Sequence, residues 1–135
     1  MEVVHTIPEL RAAVARARQA GRTIGFVPTM GCLHEGHLAL VRRAKAEAGF
    51  VVLSIFVNPT QFGPNEDFAK YPRTLDADVA GSAGAGADLV FAPATEDFYA
   101  PGASTWVEET RVTQGLCGEF RPGHFRGVTT VVAML

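Results

Sequence analysis

The run Pro28-Thr29-Met30-Gly31-Cys32-Leu33-His34-Glu35-Gly36-His37 gathers more reactive side chains than any other stretch of this 135-residue chain. Imidazoles three residues apart share one side of a helical turn, so His34 and His37 can both donate hydrogen bonds to phosphate oxygens. Gly31 and Gly36 let the backbone approach a ligand closely. A helix opening near His34 would add the partial positive charge of its N-terminus. Donors fixed there stabilise charge that develops on a leaving phosphate. A metal site is the weaker reading: His-Glu-Gly-His is not H-E-x-x-H, and beyond Cys32 no third ligand is evident. Solvated histidines at a helix start are the plain alternative. The preceding strand and the flanking glycines favour phosphate.

Other segments carry polar groups with less specificity. Asn58-Pro59-Thr60-Gln61-Phe62 follows a second apolar strand, and an amide such as Gln61 offers donors and an acceptor to a hydroxy acid. Asn58 is equally well read as a turn residue bonding its own backbone. Arg121-Pro122-Gly123-His124 can present a guanidinium and an imidazole to anionic groups or form an ordinary turn with an exposed Arg. Asp76 and Asp78 resemble a magnesium pair, but acids in the first turn of a helix are expected to be solvated there. Gly81 to Gly86 precedes a strand and lacks the order of a dinucleotide fingerprint, and no Walker-type G-x-x-x-x-G-K-[ST] is present. Trp106 and the phenylalanines are expected in the core rather than as stacking platforms.

The elements that must position these groups alternate. Thr6-Ile7-Pro8-Glu9 has the form of a capping box opening a helix, with an apolar stripe at Leu10, Ala13, Val14 and Ala17 and a stop at Gly21. Residues 23–27 read as a strand, and a helix is expected from near His34 to Ala48. Residues 50–57 form a continuous apolar run, as in a central parallel strand. A helix over 75–83 and a strand over 88–91 follow. An extra strand is expected at 104–108, a helical turn at 113–117, and a helix from Gly123 onward. The alternation implies an α/β fold: a Rossmann-like parallel sheet with helices on both faces. The loops at the carboxyl ends of the strands are expected to face one crevice.

Composition narrows the classes. Hydrophobic residues make up 47% and charged residues 19%, enough for a buried core in one domain over residues 1–135. The net charge of -2 offers no basic excess for gripping nucleic acid. Cys32 and Cys117 are too few and too far apart for a disulfide framework, which suits a reducing, cytoplasmic compartment. The N-terminus lacks the basic head and apolar run of a signal peptide, and no apolar stretch reaches membrane-spanning length. The last helix runs apolar to Leu135 without a capping glycine, so the chain is expected to be part of something longer.

His-X-Gly-His after the first strand resembles the signature of the nucleotidyltransferase superfamily. The wider set, PTMG-x-LHEGH, SIFVNPTQF (54–62), YPRT (71–74) and RPGHFRGVTTVV (121–132), resembles the pantothenate synthetase (pantoate–β-alanine ligase) family over nearly the whole chain. That resemblance implies a ligase that activates pantoate with ATP as an adenylate and then joins it to β-alanine. It implies that Met30, Gly31, Cys32, Leu33, His34, Glu35, Gly36 and His37 hold ATP, with His34 and His37 catalytic and His37 the assigned proton donor. Gln61 would hold pantoate, with Asn58 and Arg121 beside the substrates. Magnesium would accompany the nucleotide, and no resident metal is expected. A cytoplasmic homodimer is implied, with no membrane or nucleic-acid partner. The family's Gly-Glu-Lys-Asp segment, serine-rich loop and C-terminal domain have no counterpart here, so this N-terminal nucleotide-binding domain is expected to be incomplete and impaired alone. A cytidylyltransferase-like enzyme or a non-catalytic nucleotide-binding module are the rivals. SIFVNPTQF together with RPGHFRGV sets the ligase family apart from them.

Overall fold

The computed structural model describes residues 1–135, in two compact units. The first comprises Met1–Phe56 and Pro72–Phe98, and the second Val57–Tyr71 and Tyr99–Leu135.

The first unit is built on four strands: β1 (Glu2–Val4), β2 (Ile24–Thr29), β3 (Phe50–Ile55) and β4 (Leu89–Phe91). They pair in the order β1-β4-β3-β2, every pair parallel, with helices around the sheet. Parallel strands need crossover connections, and the sequence supplies helices for them: α1 (Ile7–Gln19), α2 (Glu35–Glu47) and α3 (Leu75–Ala85). The short α4 (Thr95–Phe98) closes the unit. The expected α/β class is therefore observed.

Local chemistry explains the element ends. The Thr6 side chain accepts from the Glu9 N–H while the Glu9 carboxylate accepts from the Thr6 N–H, the reciprocal bonding expected of the capping box. Gly21, at φ +74°, takes the left-handed turn after α1. Ala13 and Ala17 of the apolar stripe are buried.

β3 lies between β4 and β2, as its apolar run foretells. Val51 and Leu53 join Val27, Val41, Ala85, Ala87 and Val90 in one core cluster that α2 and α3 help to fill. Val52 and Ser54 alternate to the opposite side of the sheet and are buried too. Gly25 lets α2 settle onto β2: a Cβ there would lie 3.1 Å from the Ala48 Cβ and 3.2 Å from that of Ala44.

One element is unexpected and two expectations need correction. Glu2–Val4 forms a strand that no periodicity signals; three residues carry no pattern, and pairing with Leu89–Phe91 creates it. Residues 104–108 are not a strand. The Val107 N–H donates to Thr130 Oγ1 and its carbonyl accepts from Thr129 Oγ1, so side-chain bonds take the place of a ladder. The turn expected at 113–117 falls later, as α5 (Cys117–Phe120), because Glu109 holds Thr113 through both the backbone N–H and the hydroxyl of Thr113.

The second unit holds 3-10 turns at Pro59–Gln61 and Phe68–Lys70, α5, and α6 (His124–Met134), which opens after Gly123 as expected. The aromatic residues do not all go inside. Trp106 is 45% exposed, with the Arg126 guanidinium 4.7 Å above its ring, and Phe120 is 79% exposed. In the first unit Phe26 is also exposed. Trp106 keeps its place through a cation–π contact rather than burial.

Candidate functional site

The carboxyl end of β2 turns sharply into α2. Thr29 Oγ1 donates to the Ser54 carbonyl at 2.7 Å and accepts from the Gly31 N–H at 3.2 Å, which pins the start of the turn. Gly31 has φ +81° and its neighbour Cys32 φ +52°, an uncommon value for a residue with a side chain. Asp78 of α3 holds this backbone from below. Its Oδ2 accepts from the Cys32 N–H at 2.9 Å and its Oδ1 from the Leu33 N–H at 2.7 Å, while the Thr74 hydroxyl donates to Oδ2 at 3.1 Å. A Cβ on Gly31 would stand 3.0 Å from Oδ2.

Asp78 corrects the sequence reading of a solvated helix start. It is 3% exposed, a buried carboxylate satisfied by two main-chain donors and a hydroxyl. Only Asp76 of that pair is exposed. The N–H groups of Cys32 and Leu33 are consequently engaged by Asp78 within the chain.

His34 caps α2 with extended backbone. Its Nδ1 accepts from the Gly36 N–H at 3.1 Å, and the His37 Nδ1 accepts from the His34 N–H at 3.3 Å. The rings lie 4.1 Å apart between centroids. An imidazole that accepts at Nδ1 while neutral carries its proton on Nε2, so these bonds fix the tautomer of both rings. The pair thus offers two Nε2–H donors from one helix start. His34 is exposed and His37 half-buried, so neither is sealed in the interior. Glu35 is drawn aside into an ion pair with Arg42, which lowers its carboxyl pKa.

Burial lowers the His37 pKa below 6.5, the nearby His34 lowers it further, and the Asp78 charge opposes both. Between its folded pKa and 6.5 the unfolded chain binds more protons, so stability rises with pH in that window. The contribution is fully present above 6.5 and is lost as pH falls through the folded pKa. Urea unfolding at about pH 7 and about pH 5 is expected to show a loss at the lower pH that is smaller in His37→Asn. Equal losses in the two proteins would contradict the assignment.

In the second unit Asn58 is fully buried and forms a hub. Its Nδ2 donates to Gln61 Oε1 at 2.9 Å and to the Gly127 carbonyl at 3.1 Å. Its Oδ1 accepts from the Thr60 N–H, the Thr60 hydroxyl and the Tyr99 hydroxyl. Gln61 Oε1 accepts from Asn58 and keeps a second lone pair, so the amide can still offer that acceptor and donation from Nε2. Arg121 pairs with Glu66, and His124 Nδ1 meets the Gln61 carbonyl at 3.0 Å. Gln61, Glu66, Arg121, His124 and Arg126 line one cavity of about 520 Å³. The second unit thus gathers Asn58, Gln61 and Arg121, and the first gathers Met30 to His37.

Glu66 and Tyr99 enter these networks without a signal in the sequence, whereas Asp78 and His124 stand in segments that the sequence singles out but with other partners. Asp78 lies 46 residues from Cys32, and Glu66 55 residues from Arg121, so no local pattern links them. No group of three His, Cys, Asp or Glu side chains could hold a metal ion. No helix is long and apolar enough to cross a membrane. Cys32 and Cys117 are free and exposed.

A parallel sheet whose strand end delivers a His-x-Gly-His turn into a helix defines a Rossmann-like α/β protein. Comparison with known proteins narrows the class. The chain belongs to the pantoate-beta-alanine ligase family, whose model matches residues 2–135. The pantothenate synthetase of Moorella thermoacetica is 60% identical over all of this chain and 48% of its own length. The crystal structure of pantothenate synthetase from Thermus thermophilus is 54% identical, with a TM-score of 0.89 over 98% of this chain and 47% of that one. The Francisella tularensis pantoate-beta-alanine ligase, complexed with beta-gamma ATP and beta-alanine, is 40% identical, with a TM-score of 0.88 over 99% of this chain and 51% of that one. The chain spans about half the length of the curated relatives it matches.

Proposed function

We propose that this chain is the N-terminal nucleotide-binding portion of a ligase that condenses pantoate with β-alanine, driven by ATP. A pantoate carboxylate oxygen attacks the α-phosphorus of ATP and expels pyrophosphate, giving pantoyl adenylate. The β-alanine amine then attacks the acyl carbon and releases AMP with pantothenate. A carboxylate is a poor acyl donor, and adenylation supplies the leaving group. In-line attack at phosphorus mainly requires positioning and charge neutralisation.

The paired Nε2–H donors of His34 and His37 at the start of α2 carry this reading. Met30, Gly31, Cys32, Leu33, Glu35 and Gly36 shape the ATP site around them, and His37 gives its Nε2–H as a hydrogen bond to the departing phosphate. Gln61 holds pantoate through Nε2 and Arg121 grips a carboxylate, while Asn58 serves the substrates by holding Gln61. Magnesium would accompany the nucleotide, held by phosphate oxygens and water rather than by the imidazoles, whose Nε2–H groups cannot coordinate it. The whole enzyme is a cytoplasmic homodimer. The 135-residue chain binds substrate but does not turn over at the rate of the longer relatives.

Calorimetry with ATP and pantoate, singly and together, tests the assignment. Binding of both is expected, with His34→Ala and His37→Ala each weakening ATP by about tenfold, the loss of roughly one charge-assisted hydrogen bond. Nucleotide binding without pantoate would favour a different acceptor or a non-catalytic module, and ATP affinity indifferent to both histidines would overturn the site. AMP release dependent on pantoate and β-alanine is expected to be far below that of a full-length relative.

A further inference from the structure

Glu66 folds back against Arg121. The guanidinium Nε lies 2.6 Å from Oε1 and Nη2 2.8 Å from Oε2, the side-on fork that arginine makes with any carboxylate. The Gly63 N–H donates to Oε2 at 3.1 Å and fixes the carboxylate from behind. The pair is not a sealed contact, since the Arg121 and Glu66 side chains remain 35% and 32% exposed on the wall of the cavity. The cavity also holds Gln61, His124 and a second guanidinium, Arg126. Arg121 Nη2 reaches toward the main-chain carbonyl of Gln61 at 3.5 Å, and both residues line the cavity, so the fork shares it with the residue assigned to substrate.

We propose that Arg121 is a receptor for the carboxylate of a small ligand, and that Glu66 occupies it as an internal stand-in which the ligand must displace. The inference rests on the assignment of Arg121 to the substrate site. Glu66 supplies the same donor-matched geometry that a free carboxylate would take. Arg121, with the Gly63 N–H, holds the Glu66 carboxyl pKa down to about 2, so acidification within the working range of an enzyme does not vacate the site. Displacement falls to competition instead. A tethered carboxylate competes at an effective concentration of about a millimolar or more. A bare carboxylate therefore loses to Glu66, whereas one bearing a second polar group can also bond Gln61 and win. Departure of Glu66 also frees the Gly63 N–H, coupling occupancy of Arg121 to loosening of the segment that follows Phe62.

The test uses β-alanine as probe and 3-aminopropanamide, which lacks the carboxylate, as control. Glu66→Gln keeps the side-chain shape and an acceptor for Gly63 but abolishes the charge. Titrations followed by amide NMR on the 135-residue chain are expected to show β-alanine binding Glu66→Gln about tenfold tighter than wild type. The gain should vanish when Arg121→Gln is added, and the amide should not bind. Equal affinity of wild type and Glu66→Gln, or equal binding of acid and amide, would overturn the proposal. A second measurement needs no variant: saturating β-alanine is expected to speed hydrogen exchange at the Gly63 amide of the wild-type chain, and slower or unchanged exchange would count against displacement. ATP titrated against the same proteins should be indifferent to Glu66, so failure here leaves the nucleotide reading intact, and loss of ATP binding by wild type would sink that reading instead.

Discussion

Gly127→Ala is expected to unseat α6 from the 3-10 turn at Pro59–Gln61 and destabilise the protein by about 3 kcal/mol, the upper range for overpacking. A Cβ at this position would lie 2.4 Å from the Thr60 carbonyl oxygen, 2.6 Å from its carbon and 2.9 Å from the Gln61 nitrogen. All three are main-chain atoms, so no side chain can swing away, and helix and turn must part. Separation also lengthens the bond from Asn58 Nδ2 to the Gly127 carbonyl, which orients the hub that holds Gln61. The melting temperature should fall by roughly 10 °C in a chain of this size. Gly84→Ala in α3 is the matched control. Nothing lies within 4 Å of its added Cβ, and alanine in a helix should raise stability by about 0.5–1 kcal/mol. Similar melting shifts for the two variants would show that the close approach of α6 is not what the glycine serves.

Asp78→Ala should cost about 3–4 kcal/mol, because it strands the N–H groups of Cys32 and Leu33 and the Thr74 hydroxyl around an emptied buried position. Asp78→Asn keeps the volume but replaces one acceptor oxygen with a donor that faces an N–H, so about half that loss is expected. The consequence is local as well as global. Without the clamp, Cys32 has less reason to hold φ +52°, and the turn that leads into His34 relaxes. The asparagine variant also removes the negative charge that opposes the lowering of the His37 pKa, so the His37 imidazole should titrate at still lower pH by NMR. An Asp78→Ala protein that melts within about 2 °C of wild type would show that the turn is held by something else.

What the sequence made legible follows the range of each interaction. The capping box at Thr6 and Glu9, the Gly21 stop and the apolar run over 50–57 depend on near neighbours or on burial of a whole strand, and they were readable. The parallel sheet and the helix opening at His34 followed from alternation and from glycine placement. β1 was not legible, because three residues become a strand only by pairing with β4. Trp106 was misjudged because hydrophobicity alone does not foresee a guanidinium stacked over the ring. At the site, the histidine pair and Gln61 stood out by motif. Asp78 and Glu66 did not, since their partners lie 46 and 55 residues away and acids near a helix start or in a polar loop look ordinary.

The mutual capping of His34 and His37 limits the acid–base repertoire of the pair. With each Nδ1 tied to a peptide N–H, neither ring can pass a proton in at one nitrogen and out at the other while the first turn of α2 stays wound. Each neutral ring can give a hydrogen bond from Nε2 but keeps that proton, since losing it would leave an imidazolate. On the proposed reading the two rings serve as a fixed pair of hydrogen-bond donors rather than as a relay, and protonation of either Nδ1 would break a bond that starts α2.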